Sequence, residues 1–147
     1  GPTVMAGYLD NPIATACAFD GRWLRTGDIG RIDDDGYLHV LDRRTDLIIS
    51  GGENIYPAEV ESVLLAHPGV QDAAVVGLHH PDWGQRPVAF VVPTGGTING
   101  LIEHCATNLA TYKCPDTIHF VDTLPRTAAG KLQRHLLREQ VRSDDRT

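Results

Sequence analysis

Two near-continuous apolar runs, Val70 to Leu78 and Pro87 to Val92, constrain this chain most, because stretches with so few polar interruptions need cover from water. They read as core strands separated by His80-Pro81-Asp82-Trp83-Gly84. Neither approaches the roughly 20 apolar residues that span a bilayer, so no membrane insertion is expected. No charged segment followed by an apolar one opens the sequence, so no export signal is read. At 147 residues one domain fits comfortably and two full ones do not. A chain of this length buries roughly 70% of its unfolded surface, enough to cover both runs.

Shorter signals surround them. Ile29 to Ile32 and Tyr37 to Leu41 read as strands joined by a turn at Asp33-Asp34-Asp35-Gly36, where Asp-Gly supplies positive φ. Leu47 to Ser50 reads as a strand ending in Gly51-Gly52. Pro57 opens a helix carrying Val60, Val63 and Leu64, and His67-Pro68-Gly69 closes it. Leu101, Ile102, Cys105 and Leu109 mark a second helix, Thr117 to Val121 a strand, and Leu132 to Val141 an amphipathic segment before a polar tail. Gly1 to Asp20 shows no sustained period and reads as the tail of something upstream.

Thirteen basic against nineteen acidic residues leave no surplus to neutralise a phosphate backbone, so nucleic acid is not an expected partner. Cys17, Cys105 and Cys114 are odd in number and lack paired spacing, which favours buried reduced thiols and a cytoplasmic setting. No metal site is expected. The acidic run at Asp33 lacks the alternation and closing Glu of a calcium loop, and the adjacent His79 and His80 of a strand point to opposite faces. Ser50 and Cys105 have no neighbouring base, so no nucleophile triad is read.

Four features carry chemistry, each with a plainer alternative beside it. Thr26-Gly27-Asp28 places a carboxylate at the tip of a turn, suited to a sugar diol or to simple capping. Asp42-Arg43-Arg44-Thr45-Asp46 sets a guanidinium among carboxylates, fit to clamp a ribose or phosphate oxygen or to form a surface ion-pair network. Gly51-Gly52-Glu53-Asn54 is a glycine-rich loop leading to a helix, without the lysine of a phosphate-binding loop. Pro125 to Gly130 displays Lys131 on small residues, where an ammonium can stabilise developing negative charge or lie idle at the surface.

In this order the four features resemble the adenylate-forming superfamily of acyl-CoA synthetases, luciferases and peptide-synthetase adenylation domains. Trp23 to Asp28 resembles its Thr-Gly-Asp motif, and Pro57-Ala58-Glu59-Val60-Glu61, Trp83-Gly84, the Tyr112-Lys113 pair and Pro125 to Lys131 follow as in its small C-terminal domain. The resemblance implies an α+β fold: a small mixed or antiparallel sheet flanked by helices over residues 45–147, preceded by the last strands of a large N-terminal domain over residues 1–44.

It also implies a role for each matching residue. Asp28 and Arg43 would hold the ribose of ATP or AMP, Thr45 would sit at the hinge, and Lys131 would serve acyl-adenylate formation. Gly51, Gly52, Glu53 and Asn54 would replace Lys131 for the thioester step. Thr45 departs from the Asp or Lys common at the hinge. The phosphate loop and acyl pocket of the family belong upstream of Gly1, so the fragment alone is expected to be inactive. ATP with magnesium, held mainly by that upstream domain, CoA and a carboxylic acid are the implied ligands, and Lys131 matches a lysine that is acetylated in some members.

Within the superfamily, Leu41 to Glu61 is similar to the o-succinylbenzoate–CoA ligase group of menaquinone biosynthesis, and shares much with fatty-acyl and aryl-CoA ligases. A non-catalytic, free-standing partner-binding module stays open as the alternative, as does a homo-oligomer.

Overall fold

A computed structural model describes residues 1–95, 98 and 100–144. The chain divides into two compact units, Gly1–Thr45 and Asp46–Thr147, one residue beyond the 44/45 boundary expected above.

In the first unit, α1 (Pro12–Ala18) forms where no period was visible. Asn11 accepts the Ala14 N–H at 3.0 Å and Pro12 occupies the first helical turn, so a local cap starts a helix that has no buried residue. Cys17 lies on it and is exposed, contrary to the expectation of buried thiols. β1 (Phe19–Asp20) pairs antiparallel with β2 (Trp23–Leu24).

The expected hairpin is present as β3 (Asp28–Ile32) and β4 (Leu38–Arg43). Its turn is built on Asp33, whose carboxylate accepts the N–H groups of Asp35 and Tyr37 and pairs with His39 Nε2 at 2.6 Å. The His39 bond first, and the Tyr37 N–H next, hold this carboxyl below its ordinary range. Only Gly36 is left-handed there, at φ +86°; Asp35 is not.

The second unit runs β5 (Ile48–Ser50), β6 (Glu53–Ile55), α2 (Pro57–Leu65), β7 (Val70–His80), β8 (Gly84–Pro93), α3 (Leu101–Asn108), a 3-10 turn at Thr111–Lys113, β9 (Thr117–Phe120) and α4 (Arg134–Asp144). The two apolar runs are its longest strands, paired antiparallel from Val70↔Pro93 to His80↔Gly84. The pairing leaves only Pro81, Asp82 and Trp83 as the connection, tighter than the break read from sequence. The sheet order is β6-β5-β8-β7, with β9 joining β8 in parallel. The fold is therefore a mixed sheet with helices packed against it, as the resemblance implied.

Both faces of β7 and β8 are covered, which is why their sequences lack alternation. Ala73, Val75, Ala89 and Val91 pack with Val60 and Leu64 of α2 and Leu101 and Cys105 of α3. Ala74, Val76, Val88, Phe90 and Val92 pack with Leu124 and with Leu137 of α4 on the other face. Full burial of a side chain such as Phe90 contributes roughly 1.5–3 kcal/mol. Burial also pushes the Cys105 thiol up from its ordinary pKa, with a smaller push from Cys114, so it is an inert packing group. α4 carries the amphipathic segment on to Asp144, and the remainder of the polar tail, 145–147, lies outside the described residues. Among the described residues no helix is long and apolar enough to cross a membrane.

Candidate functional site

Asp28 and Arg43 are cross-strand partners in the β3–β4 register, and Arg43 Nε lies 3.4 Å from Asp28 Oδ1. The first unit thus brings together the two residues that resemblance assigns to a ribose. Thr26 Oγ1 accepts the Asp28 N–H at 3.2 Å, and Gly27 turns the chain at φ +78°. Arg43 keeps 56% of its side chain exposed, so its guanidinium has donors free to turn toward a ligand.

Thr45 closes the first unit and Asp46 opens the second. Asp46 is held firmly: Arg138 Nη2 is 3.3 Å and Arg134 Nη1 3.6 Å from its carboxylate. Arg134 also donates to both oxygens of Glu61, at 2.7 and 2.9 Å, and to the Val75 carbonyl at 3.3 Å. Glu61 in turn accepts the Val75 N–H at 2.8 Å. Arg134, Glu61 and Asp46 are 15–18% exposed, so this network ties the residue after Thr45 to α2, β7 and α4 in a region partly shielded from water. Sequence reading missed it entirely.

The glycine-rich segment is not an open loop. Gly51 and Gly52, at φ +58° and +88°, are the central residues of a two-residue hairpin turn, and Ile48↔Ile55, Ile49↔Asn54 and Ser50↔Glu53 pair across it. Two successive positive φ values are what a type I′ turn requires. Glu53 and Asn54, expected in a loop, are therefore strand residues. Gly51 donates to the Trp83 carbonyl at 2.9 Å and lies against its indole, while nothing comes within 4 Å of a Cβ built on Gly52. Trp83 braces the turn and stays half exposed. The Ser50 hydroxyl is buried without a hydrogen-bond partner among the described residues, so nothing there activates it as a nucleophile.

Lys131 ends a compact turn. Thr127 N–H donates to the Lys131 carbonyl and Gly130 N–H to the Thr127 carbonyl, both at 2.8 Å, and Lys131 N–H reaches Thr127 Oγ1 at 3.1 Å. Arg126 and Leu132 form an antiparallel bridge at its base. Its ammonium is exposed and has no partner among the described residues. That charge is available to a ligand.

Lys113, by contrast, is committed: its ammonium binds both oxygens of Glu59 at 2.6 and 2.8 Å. The Glu59 hydrogen bond, chiefly, raises its pKa above the ordinary 10.5. The pair's stabilisation is then fully present below 10.5 and is lost as pH rises through the higher folded-state value. Between about pH 8 and about pH 12, the Tm difference between wild type and Lys113→Met should narrow at the alkaline end; a constant difference contradicts this assignment.

A cavity of about 400 Å³ lies between α3 and β9, lined by Leu101, Ile102, Pro115, Ile118 and Phe120 among others, and no candidate residue lines it. No group of three His, Cys, Asp or Glu side chains able to hold a metal ion occurs among the described residues.

Residues 59–131 match the model of the AMP-binding enzyme C-terminal domain. The 2-succinylbenzoate–CoA ligase of Geobacillus sp. (strain WCH70) is 53% identical over an alignment of 148 positions that covers 99% of this chain and 30% of that protein. Among solved structures, the o-succinylbenzoate CoA synthetase of Bacillus subtilis in complex with the acyl-adenylate intermediate OSB-AMP matches 96% of this chain and 28% of its own, at TM-score 0.86 and 49% identity. The same enzyme with ATP and magnesium matches 97% and 29%, at TM-score 0.85 and 48% identity. The chain thus spans under a third of the length of the proteins it matches.

Proposed function

We propose, for a chain whose residues 59–131 belong to the AMP-binding enzyme C-terminal domain family, that it is the mobile small domain, with the last strands of the large domain, of an AMP-forming acid–CoA ligase acting on o-succinylbenzoate in the cytoplasm. The supporting observation is the likeness of 96% of the chain to an enzyme caught with its acyl-adenylate. A carboxylate attacks the α-phosphate of ATP, releasing pyrophosphate and leaving an acyl-adenylate. A CoA thiol then attacks the acyl carbon and AMP departs.

Each step uses a different part of the chain. The Asp28 carboxylate accepts hydrogen bonds from the ribose hydroxyls and Arg43 donates to a ribose oxygen, fixing the nucleotide through both steps. In the first step the Lys131 ammonium offsets negative charge gathering on the attacking carboxylate and the α-phosphate. Rotation at Thr45 then withdraws Lys131 and brings in the Gly51-Gly52 turn, whose open side at Gly52 leaves a path for the thiol arm. Magnesium would supply charge neutralisation on the phosphates, held mainly by the large N-terminal domain of the family.

The test is thioester formation by the full-length protein from ATP, CoA and a panel of o-succinylbenzoate, aryl acids and fatty acids, followed by mass spectrometry. o-Succinylbenzoyl-CoA as the dominant product is expected. Product from fatty or aryl acids instead overturns the substrate, and adenylate accumulating without any CoA thioester overturns CoA as acceptor.

A further inference from the structure

Lys131 can act on a phosphate only if its loop holds the ammonium at one place, yet Thr127-Ala128-Ala129-Gly130 is exposed and offers no large side chain to anchor it. The turn's internal hydrogen bonds set its shape and leave its orientation on the sheet open. Leu124 below it is buried, and Leu132 above packs on the Phe90 face of the sheet, so the two ends of the segment are fixed. Arg126 ties the part between. Its Nη2 donates to both oxygens of Asp72 on β7, at 2.8 and 3.1 Å, and its Nη1 donates to the Gly130 carbonyl at 3.0 Å.

One planar guanidinium therefore spans from the sheet to the residue preceding Lys131. The Asp72 carboxylate is oriented in turn by the Ala73 N–H, which its Oδ1 accepts at 3.0 Å.

We infer that the Arg126–Asp72 pair is a positioning clamp for the Lys131 ammonium, serving adenylate formation and not thioester formation; the inference rests on the role proposed above for Lys131. The pair is 41% and 32% exposed, where an ion pair adds little to stability. Its worth lies in geometry. A lysine at position 126 is a point charge that cannot reach Asp72 and the Gly130 carbonyl in the fixed two-armed manner of arginine.

Arg126→Gln and Asp72→Asn in the full-length protein should each lower kcat for adenylate formation by about 10- to 100-fold, the effect of roughly an ångström of misplacement, with KM for ATP nearly unchanged. Thioester formation from supplied acyl-adenylate should stay within about twofold, Arg126→Lys should recover part of the loss, and the double variant should be no worse than Arg126→Gln alone, which already removes the contact that Asp72→Asn breaks. Equal loss in both half-reactions, or no loss in the first, overturns the clamp.

Amide hydrogen exchange separates this from the functional reading. Gly130 and Lys131 N–H groups should exchange about tenfold faster in Asp72→Asn whatever the enzyme's substrate, because loosening the loop raises local opening. Unchanged exchange sinks the clamp even in an active ligase. Wild-type protein that forms no adenylate from any acid, with exchange still accelerated in the variant, refutes the proposed reaction and leaves the clamp standing as a loop anchor.

Discussion

Lys131→Ala in the full-length protein is expected to lower acyl-adenylate formation by about 10²- to 10³-fold, the loss that follows removal of one preorganised charge from a transition state. Thioester formation from supplied adenylate should stay within about twofold. The substitution is clean for a structural reason. The turn uses the Lys131 backbone, through its N–H to Thr127 Oγ1 and its carbonyl to the Thr127 N–H, and uses nothing of its side chain. Alanine keeps both bonds, so the loop retains its shape and only the charge is lost.

Lys131→Gln removes the charge while keeping a long polar chain, as acetylation would, and should behave as alanine does. Pyrophosphate release and thioester yield, measured separately, check both variants. A similar fall in both half-reactions would refute the assignment of Lys131 to the first.

How much of this was legible in the sequence depended on whether the signal was local. The apolar runs of β7 and β8 declared themselves because both faces are buried, and α2 did so because Pro57 opens it and Val60 and Leu64 fall on its inner side. The β3–β4 hairpin was readable from its Asp-rich, Gly-ended turn, which the structure builds around Asp33. α1 was not readable: seven residues without a buried face leave no period, and only the Asn11-Pro12 cap betrays it. β6 was hidden because Glu53 and Asn54 are exposed and look like loop, while the pairing that makes them a strand depends on β5.

The polar contacts around the site were the least visible. Glu61 and Arg134 are 73 residues apart, and Asp72 and Arg126 are 54 apart. A charge–charge contact across such distances depends on how β7, α2 and α4 pack, and it imposes no spacing on the chain. Arg134 did carry one usable hint, standing three residues after Lys131 at the start of an amphipathic segment.

The reciprocal of the lysine variant is Gly52→Leu, which should spare adenylate formation and lower thioester formation by about 100-fold or more. Gly51 and Gly52 both sit at positive φ, but they tolerate a side chain very differently. A Cβ on Gly51 would stand 2.7 Å from the Trp83 ring, so substitution there displaces the indole and disturbs the hairpin itself. A Cβ on Gly52 meets nothing within 4 Å. Leucine at 52 therefore costs about 1–2 kcal/mol of left-handed backbone strain. The six-residue β5–β6 pairing and the buried Ile48 and Ile55 should absorb that without unfolding.

What leucine does is fill the open side of the turn, the space assigned above to the thiol arm of CoA. Stalled acyl-adenylate with normal pyrophosphate release is the expected signature, read by mass spectrometry of the bound intermediate. Gly52→Leu that turns over thioester at the wild-type rate would show that the thiol arrives by another route, and loss of both half-reactions would point to damage of the hairpin instead.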